Sequence, residues 1–144
     1  MCICNDRRWP ESYRVLGLQG VELTLIGYNT AAVNYHGSEP SHLRMFHHHL
    51  SMQAGAYENS MYIVATGKCG IENGVGLIGG SCVIAPSGEI VALAQTEDDE
   101  VIVATCDLDH CAFGKKTMFN FMAHRRPEHY RRIVGQKGVQ EPPG

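Results

Sequence analysis

The opening of the chain, Met1-Cys2-Ile3-Cys4-Asn5-Asp6-Arg7-Arg8-Trp9-Pro10-Glu11, constrains the fold more than any other stretch. A short apolar run ends at Cys4, a polar turn follows, and Pro10-Glu11 suits the first turn of a helix, where the N–H that proline lacks has no partner anyway. Strand, tight turn and helix in that order make an elbow. Such an elbow exposes a nucleophile at a sheet edge, beside backbone N–H groups able to stabilise an oxyanion. Cys4 is the candidate nucleophile, because a thiolate attacks carbonyl carbon well and forms where a helix N-terminus or a cation is near. The same spacing also suits a cysteine simply packed at a strand end. Arg7 and Arg8 can grip a carboxylate through two parallel hydrogen bonds, or pair with Asp6, Glu11 or Glu22 as structural ions.

Beyond the elbow the pattern predicts mixed α/β. Pro10–Leu18 reads as a short helix and Val21–Ile26 as a buried strand. The turn-forming residues of Tyr28–Glu39, among them Asn29-Thr30, lead to a longer helix that starts at Pro40 or Ser41 and runs to about Tyr57. Leu43, Phe46 and Leu50 keep helical spacing along it. Met61–Thr66 is the next strand, and Gly67–Gly80 reads as a glycine-rich loop. Ser81–Ala85 and Ile90–Ala94 flank Pro86-Ser87-Gly88, the signature of a hairpin. Val101–Cys106 reads as a further strand. From Leu108 to about Val134 the chain reads as helical pieces broken near Gly114 and Pro127, and the Pro/Gly-rich end as a loose tail.

Composition narrows the function classes. A net charge of −3 over 144 residues gives little support for nucleic-acid binding. No run of about 18 apolar residues marks a membrane span. No basic segment followed by an apolar stretch marks a signal peptide, so the expected setting is the cytoplasm, with the six cysteines as reduced thiols. Cys69, Cys82 and Cys106 lie in or beside apolar runs and read as small buried hydrophobes. Three consecutive residues on a helix point in different directions, so His47-His48-His49 reads as helix surface or an interface rather than a metal site. Cys2-x-Cys4 is too tight for a zinc knuckle, and the glycines of 70–80 lack the Lys-Ser/Thr ending of a phosphate loop. No metal or cofactor is expected. Arg125–Arg132 reads as a solvated helix face or a subunit contact.

The elbow Cys4-Asn5-Asp6-Arg7-Arg8-Trp9-Pro10-Glu11 resembles that of the nitrilase, or carbon–nitrogen hydrolase, superfamily, and in this form is most similar to N-carbamoyl-D-amino-acid hydrolases (D-carbamoylases). Gly27-Tyr28-Asn29-Thr30, Leu50–Ser60, Gly80–Ile90 and Ala123-His124-Arg125-Arg126-Pro127 resemble further family motifs in order. The resemblance runs from Met1 to about Gly138. It implies the C-terminal half of a four-layer α-β-β-α sandwich over residues 1–138, with a tail over 139–144. It also implies hydrolysis of an N-carbamoyl-D-amino acid to the D-amino acid, carbon dioxide and ammonia. Cys4 would be the nucleophile and Asn5 an oxyanion donor through its backbone N–H. Arg7 and Arg8 would face the substrate carboxylate, and Asn29 and Thr30 would line the site. The family glutamate base and oxyanion lysine lie upstream of its elbow, and neither Glu11 nor Lys68 replaces them by motif. The chain is therefore expected to act as a truncated half, inactive alone and prone to associate through an uncovered sheet. Homo-oligomers are expected of the full-length family. Ala31 stands where proline is expected in D-carbamoylases. The competing expectation is a non-catalytic α/β binding or interaction module derived from such an enzyme.

Overall fold

The structure is a computed structural model that describes residues 1–33 and 39–142. In chain order its elements are β1 (Cys2–Ile3), α1 (Pro10–Leu18), β2 (Leu23–Tyr28), α2 (Arg44–Asn59), β3 (Tyr62–Gly67), β4 (Cys69–Glu72), β5 (Val75–Ile78), β6 (Cys82–Ile84), β7 (Ile90–Leu93), α3 (Asp109–Lys116), α4 (Phe121–His124) and α5 (Arg131–Gly135). Strands β1, β2 and β3 are parallel neighbours. Strands β6 and β7 extend the same sheet antiparallel, in the order β1-β2-β3-β6-β7.

Helices α1 and α2 are the two crossovers of the parallel part, and crossovers of one hand place both on one face. Alternation along β2 shows which face. Thr24, Ile26 and Tyr28 are buried, while Leu23, Leu25 and Gly27 are exposed. Ile26 and Tyr28 join Cys2, Ile63, Ala65, Cys82 and Ile84 from the sheet, with Tyr13 of α1 and Met52 and Ala56 of α2, in one core. Two glycines let the helices close on it. A Cβ on Gly55 would stand 2.7 Å from the Tyr13 ring, and one on Gly17 would stand 2.7 Å from Asn59 Oδ1. This α layer on a β layer is half of the α-β-β-α sandwich that the motifs imply.

Helix α1 spans the expected residues, and α2 follows a 3-10 turn at Ser41–Leu43, but the face it packs is not the expected one: Arg44, His48, Met52 and Ala56 are buried, whereas Phe46 and Leu50 are 58% and 49% exposed. Residues 34–38, which belong to the expected Tyr28–Glu39 turn region, lie outside the described residues. Further readings change. Residues 67–80 hold the β4–β5 hairpin, closed by Asn73 (φ 52°) and Gly74 (φ 78°). Asn-Gly is the sequence best suited to a two-residue turn with both central φ positive. Among the described residues, 101–106 pair with no strand, and Val101 (88% exposed) and Val103 (84% exposed) face solvent. Helix α3 runs through Gly114, and the break falls after Lys116. Among the cysteines, Cys82 is buried as expected, whereas Cys69 and Cys106 are only half-buried.

Candidate functional site

Strand β1 stops at Ile3, and Cys4–Arg8 tightens into a 3-10 turn that delivers the chain to α1. Asp6 ties the turn back, accepting the Ile3 N–H at 3.0 Å. Cys4 itself sits at φ 47°, a left-handed conformation that side chains with a Cβ rarely adopt. The strained corner lifts the thiol out of the strand line. It is half-buried, 3.9 Å from the Asn29 carbonyl oxygen at the end of β2. Cys2 points instead into the core, where burial raises its thiol pKa.

Cys4, Asn5, Arg7, Arg8, Asn29 and Thr30 all line one cavity of about 490 Å³. The β4–β5 hairpin fixes the far wall. Ile78 N–H donates to the Thr30 carbonyl at 2.9 Å, and Ala32 N–H donates to the Gly76 carbonyl at 2.8 Å. A bridge pairs Ala31 with Leu77. Asn29 Nδ2 reaches Glu72, which also pairs with Lys68.

The two arginines have different surroundings. Arg7 is 1% exposed. Its Nη1 donates to the Cys4 carbonyl at 2.6 Å and lies 4.0 Å from Cys4 Sγ. Its Nη2 donates to Thr30 Oγ1 and its Nε to His48 Nδ1, each at 2.8 Å. The guanidinium stacks over the Tyr28 ring at 4.8 Å, and Tyr13 Oη donates to the Arg7 carbonyl. Burial, and then the charge of Arg8, push Arg7 below its ordinary pKa, with the Cys4 thiol opposing. Arg7 is thus a strut behind the thiol, placing positive charge beside the sulfur.

Arg8 is part-exposed and forks onto Glu39, with Nη1 to Oε1 at 3.3 Å and Nη2 to Oε2 at 3.2 Å. Arg44 Nη1 stands 3.5 Å from the same carboxylate, and His47 Nδ1 stands 2.8 Å from it. Burial alone would raise the Glu39 carboxyl. Hydrogen bonds from Arg8 and His47 and the charges of Arg8 and Arg44 hold it below its ordinary value.

The histidine triplet splits three ways, as helical geometry requires, but it is not simply a surface. His47 meets Glu39, His49 lies against the Gly80 carbonyl, and His48 is buried at 1% exposure beside Tyr28. Burial, then the charges of Arg7 and His49, lower the His48 pKa to about 3. It is therefore a neutral imidazole, accepting at Nδ1 and carrying its proton on Nε2. Glu39, Arg44 and His48 carry no motif, and the triplet was the only sequence signal toward any of them.

Comparison with known proteins follows the same outline. A model of the family described as carbon-nitrogen hydrolase matches residues 1–116. N-carbamoylputrescine amidase of Oryza sativa subsp. japonica is 32% identical over 94% of this chain and 46% of its own length. A nitrilase of Pyrococcus abyssi is 30% identical over 90% of this chain and 45% of its own. The chain thus spans about half the length of these curated relatives. The carbon-nitrogen hydrolase of Helicobacter pylori G27 superposes with a TM-score of 0.79 at 22% identity, over 93% of this chain and 48% of that one, which shows the fold. A variant of the amidase of Nesterenkonia sp. AN1 superposes with a TM-score of 0.65 at 25% identity, over 90% of this chain and 41% of that one. It carries the acetamide moiety of fluoroacetamide on its active site cysteine.

Proposed function

Because this chain belongs to the carbon–nitrogen hydrolase family, we propose that it supplies the cysteine half of a site that hydrolyses the carbamoyl C–N bond of an N-carbamoyl-D-amino acid. The observation that carries the substrate class is the charge of the cavity. Arg7, Arg8 and Arg44 line it, against the single carboxylate of Glu39. Such a wall attracts a substrate that bears a carboxylate and repels one that ends in an ammonium group, as putrescine derivatives do. The D configuration rests on the resemblance of Cys4–Glu11 to D-carbamoylases.

In this reading Cys4 Sγ attacks the carbamoyl carbon and a C–S bond forms. The C–N bond to the terminal amide nitrogen breaks, and that nitrogen leaves as ammonia once it is protonated. Water then cleaves the S-acyl intermediate, restoring the thiol and freeing a carbamic acid that collapses to carbon dioxide and the D-amino acid. The Asn5 backbone N–H donates to the oxygen that becomes negative during attack. Arg7 holds the thiol corner and the Thr30 hydroxyl in register. Arg8 is the arginine placed to meet the carboxylate, because its head is part-exposed on the cavity wall while Arg7 is enclosed. The general base and the oxyanion lysine of the family have no motif match in this sequence, and they belong to the part of the family domain that these residues do not match.

Protection of Cys4 from alkylation tests this without requiring turnover. Iodoacetamide labelling is followed at each cysteine by peptide mass spectrometry. N-carbamoyl-D-alanine is expected to slow labelling of Cys4, and N-carbamoylputrescine to leave it unchanged. Equal protection by both, or protection by the amine alone, would overturn the carboxylate reading.

A further inference from the structure

The wall of the cysteine cavity contains a carboxylate that the proposed reaction does not use. Glu39 is held by three cationic or hydrogen-bonding side chains from two separate parts of the chain. Arg8 comes from the elbow, and Arg44 and His47 come from the first turn of α2. Both oxygens are engaged: Oε1 takes Arg8 Nη1 and His47 Nδ1, while Oε2 takes Arg8 Nη2 and lies near Arg44 Nη1. The side chain is 11% exposed and Arg44 is 10% exposed. A fork of Arg8 closed on a carboxylate, with a second arginine behind it, is the arrangement by which proteins recognise carboxylates. Here the carboxylate belongs to the protein.

We propose that Glu39 is a specificity-determining residue. It occupies the outer part of an anion site built by Arg8, Arg44 and His47, so that the cavity accepts substrates with one carboxylate and disfavours those with an acidic side chain. The assignment rests on the proposed reading of this cavity as a carboxylate-accepting site. Glu39 leaves Arg8 its Nε–H and the second hydrogens of Nη1 and Nη2, enough for one further carboxylate. A second acidic group would have to displace Glu39 from three partners, or sit beside it as a like charge. Arg44 adds charge to the cavity wall but takes part in no bond-making step of the proposed reaction, and its Nε lacks a partner among the described residues. Its role here is to hold Glu39 and keep the cluster net positive.

Glu39→Gln tests this, since glutamine keeps a carbonyl for Arg8 while removing the charge. Two measurements are made on the full chain. The first is protection of Cys4 from iodoacetamide by N-carbamoyl-D-aspartate and by N-carbamoyl-D-alanine. The variant is expected to tighten the aspartate derivative on the order of 3- to 10-fold more than the alanine one, the effect of one nearby unit charge at a partly screened site. The second is the ratio of Cys4 labelling rates with iodoacetate and iodoacetamide, normalised to glutathione. That ratio is expected to rise by a similar factor in Glu39→Gln and to fall in Arg44→Gln, which serves if Glu39→Gln does not fold. Unchanged selectivity, or weaker binding of both ligands in Glu39→Gln, would overturn the assignment and leave Glu39 as a strut for Arg8. If N-carbamoyl-D-alanine fails to protect the unaltered chain, the proposed substrate fails. The labelling ratio then judges the anion site alone: a rise supports it and no change overturns it.

Discussion

The two faces of the sheet are covered to different extents although the same strands build both. Toward the helices, Ile26, Ile63, Ala65, Cys82 and Ile84 are at most 2% exposed. On the other side of the same strands, Ile3, Leu23 and Leu25 are 63%, 42% and 49% exposed. All three are residues that strands ordinarily bury. Farther along that side Tyr62 and Val83 are buried at 3% and 5%, so the uncovered apolar surface is concentrated at the β1–β2 edge. The site follows the same division. Its supporting groups, Arg7, His48 and Tyr28, are sealed on the helix side, while Cys4 and Arg8 stand at the rim. Contiguous apolar surface of this kind marks an interaction face.

The sharpest way to break the contrast is truncation on the covered face. Ile63→Ala is expected to cost about 2–5 kcal/mol, the transfer and cavity cost of a fully buried aliphatic side chain, measured by urea denaturation. A loss under about 1 kcal/mol would mean that the helix layer is loosely packed. Arg7→Ala is expected to cost about 2–4 kcal/mol, because it strands the Cys4 carbonyl, Thr30 hydroxyl and His48 imidazole in a dry setting. Arg8→Ala, part-exposed, is expected to cost about 1 kcal/mol or less.

The effect of His48 is felt only on acidification. Its folded-state pKa of about 3 lies below the ordinary histidine value of about 6.5. As pH falls below that ordinary value, the unfolded chain binds a proton that the folded chain refuses, so stability drops toward pH 3. The slope from this group is at most about 1.4 kcal/mol per pH unit. Denaturation midpoints collected across that window should flatten in His48→Asn, and an unchanged slope would remove His48 as the cause. Smallest of all is Leu25→Ala on the open face, expected within about 0.5 kcal/mol at high dilution. A larger loss that grows with protein concentration, followed by sedimentation, would show that copies of the chain cover this face for one another.

Much of this was legible in the sequence, for identifiable reasons. Pro10 at the first helical position marks α1, and the elbow motif points to Cys4; helical spacing marks α2 as a helix, but its apolar Phe46 and Leu50 stay exposed while Arg44, His48 and Met52 turn inward. Local signals did less well where partners decide. Val101–Cys106 has the composition of a strand but no strand neighbour among the described residues. Asn73-Gly74 closes a hairpin inside a stretch whose glycine content reads as loop. In the site, residue types along the chain cannot tell which of two adjacent arginines turns inward. Arg7 is enclosed because the 3-10 turn directs it under Cys4 toward Thr30 and His48. Glu39 and Arg44 were invisible for the same reason, since their meaning comes from a meeting in space that no spacing announces.

The left-handed backbone at Cys4 has a consequence for how this protein tolerates replacement. Holding a residue with a Cβ at φ 47° costs the fold on the order of 1 kcal/mol, a cost that glycine escapes. Alanine inherits the same backbone and should leave stability near that of the unaltered chain. Glycine at this corner removes the thiol and relaxes the turn together. Random substitution screened for solubility or heat resistance should therefore enrich Cys4→Gly, and selection for a sturdier fold would discard the reactive atom first.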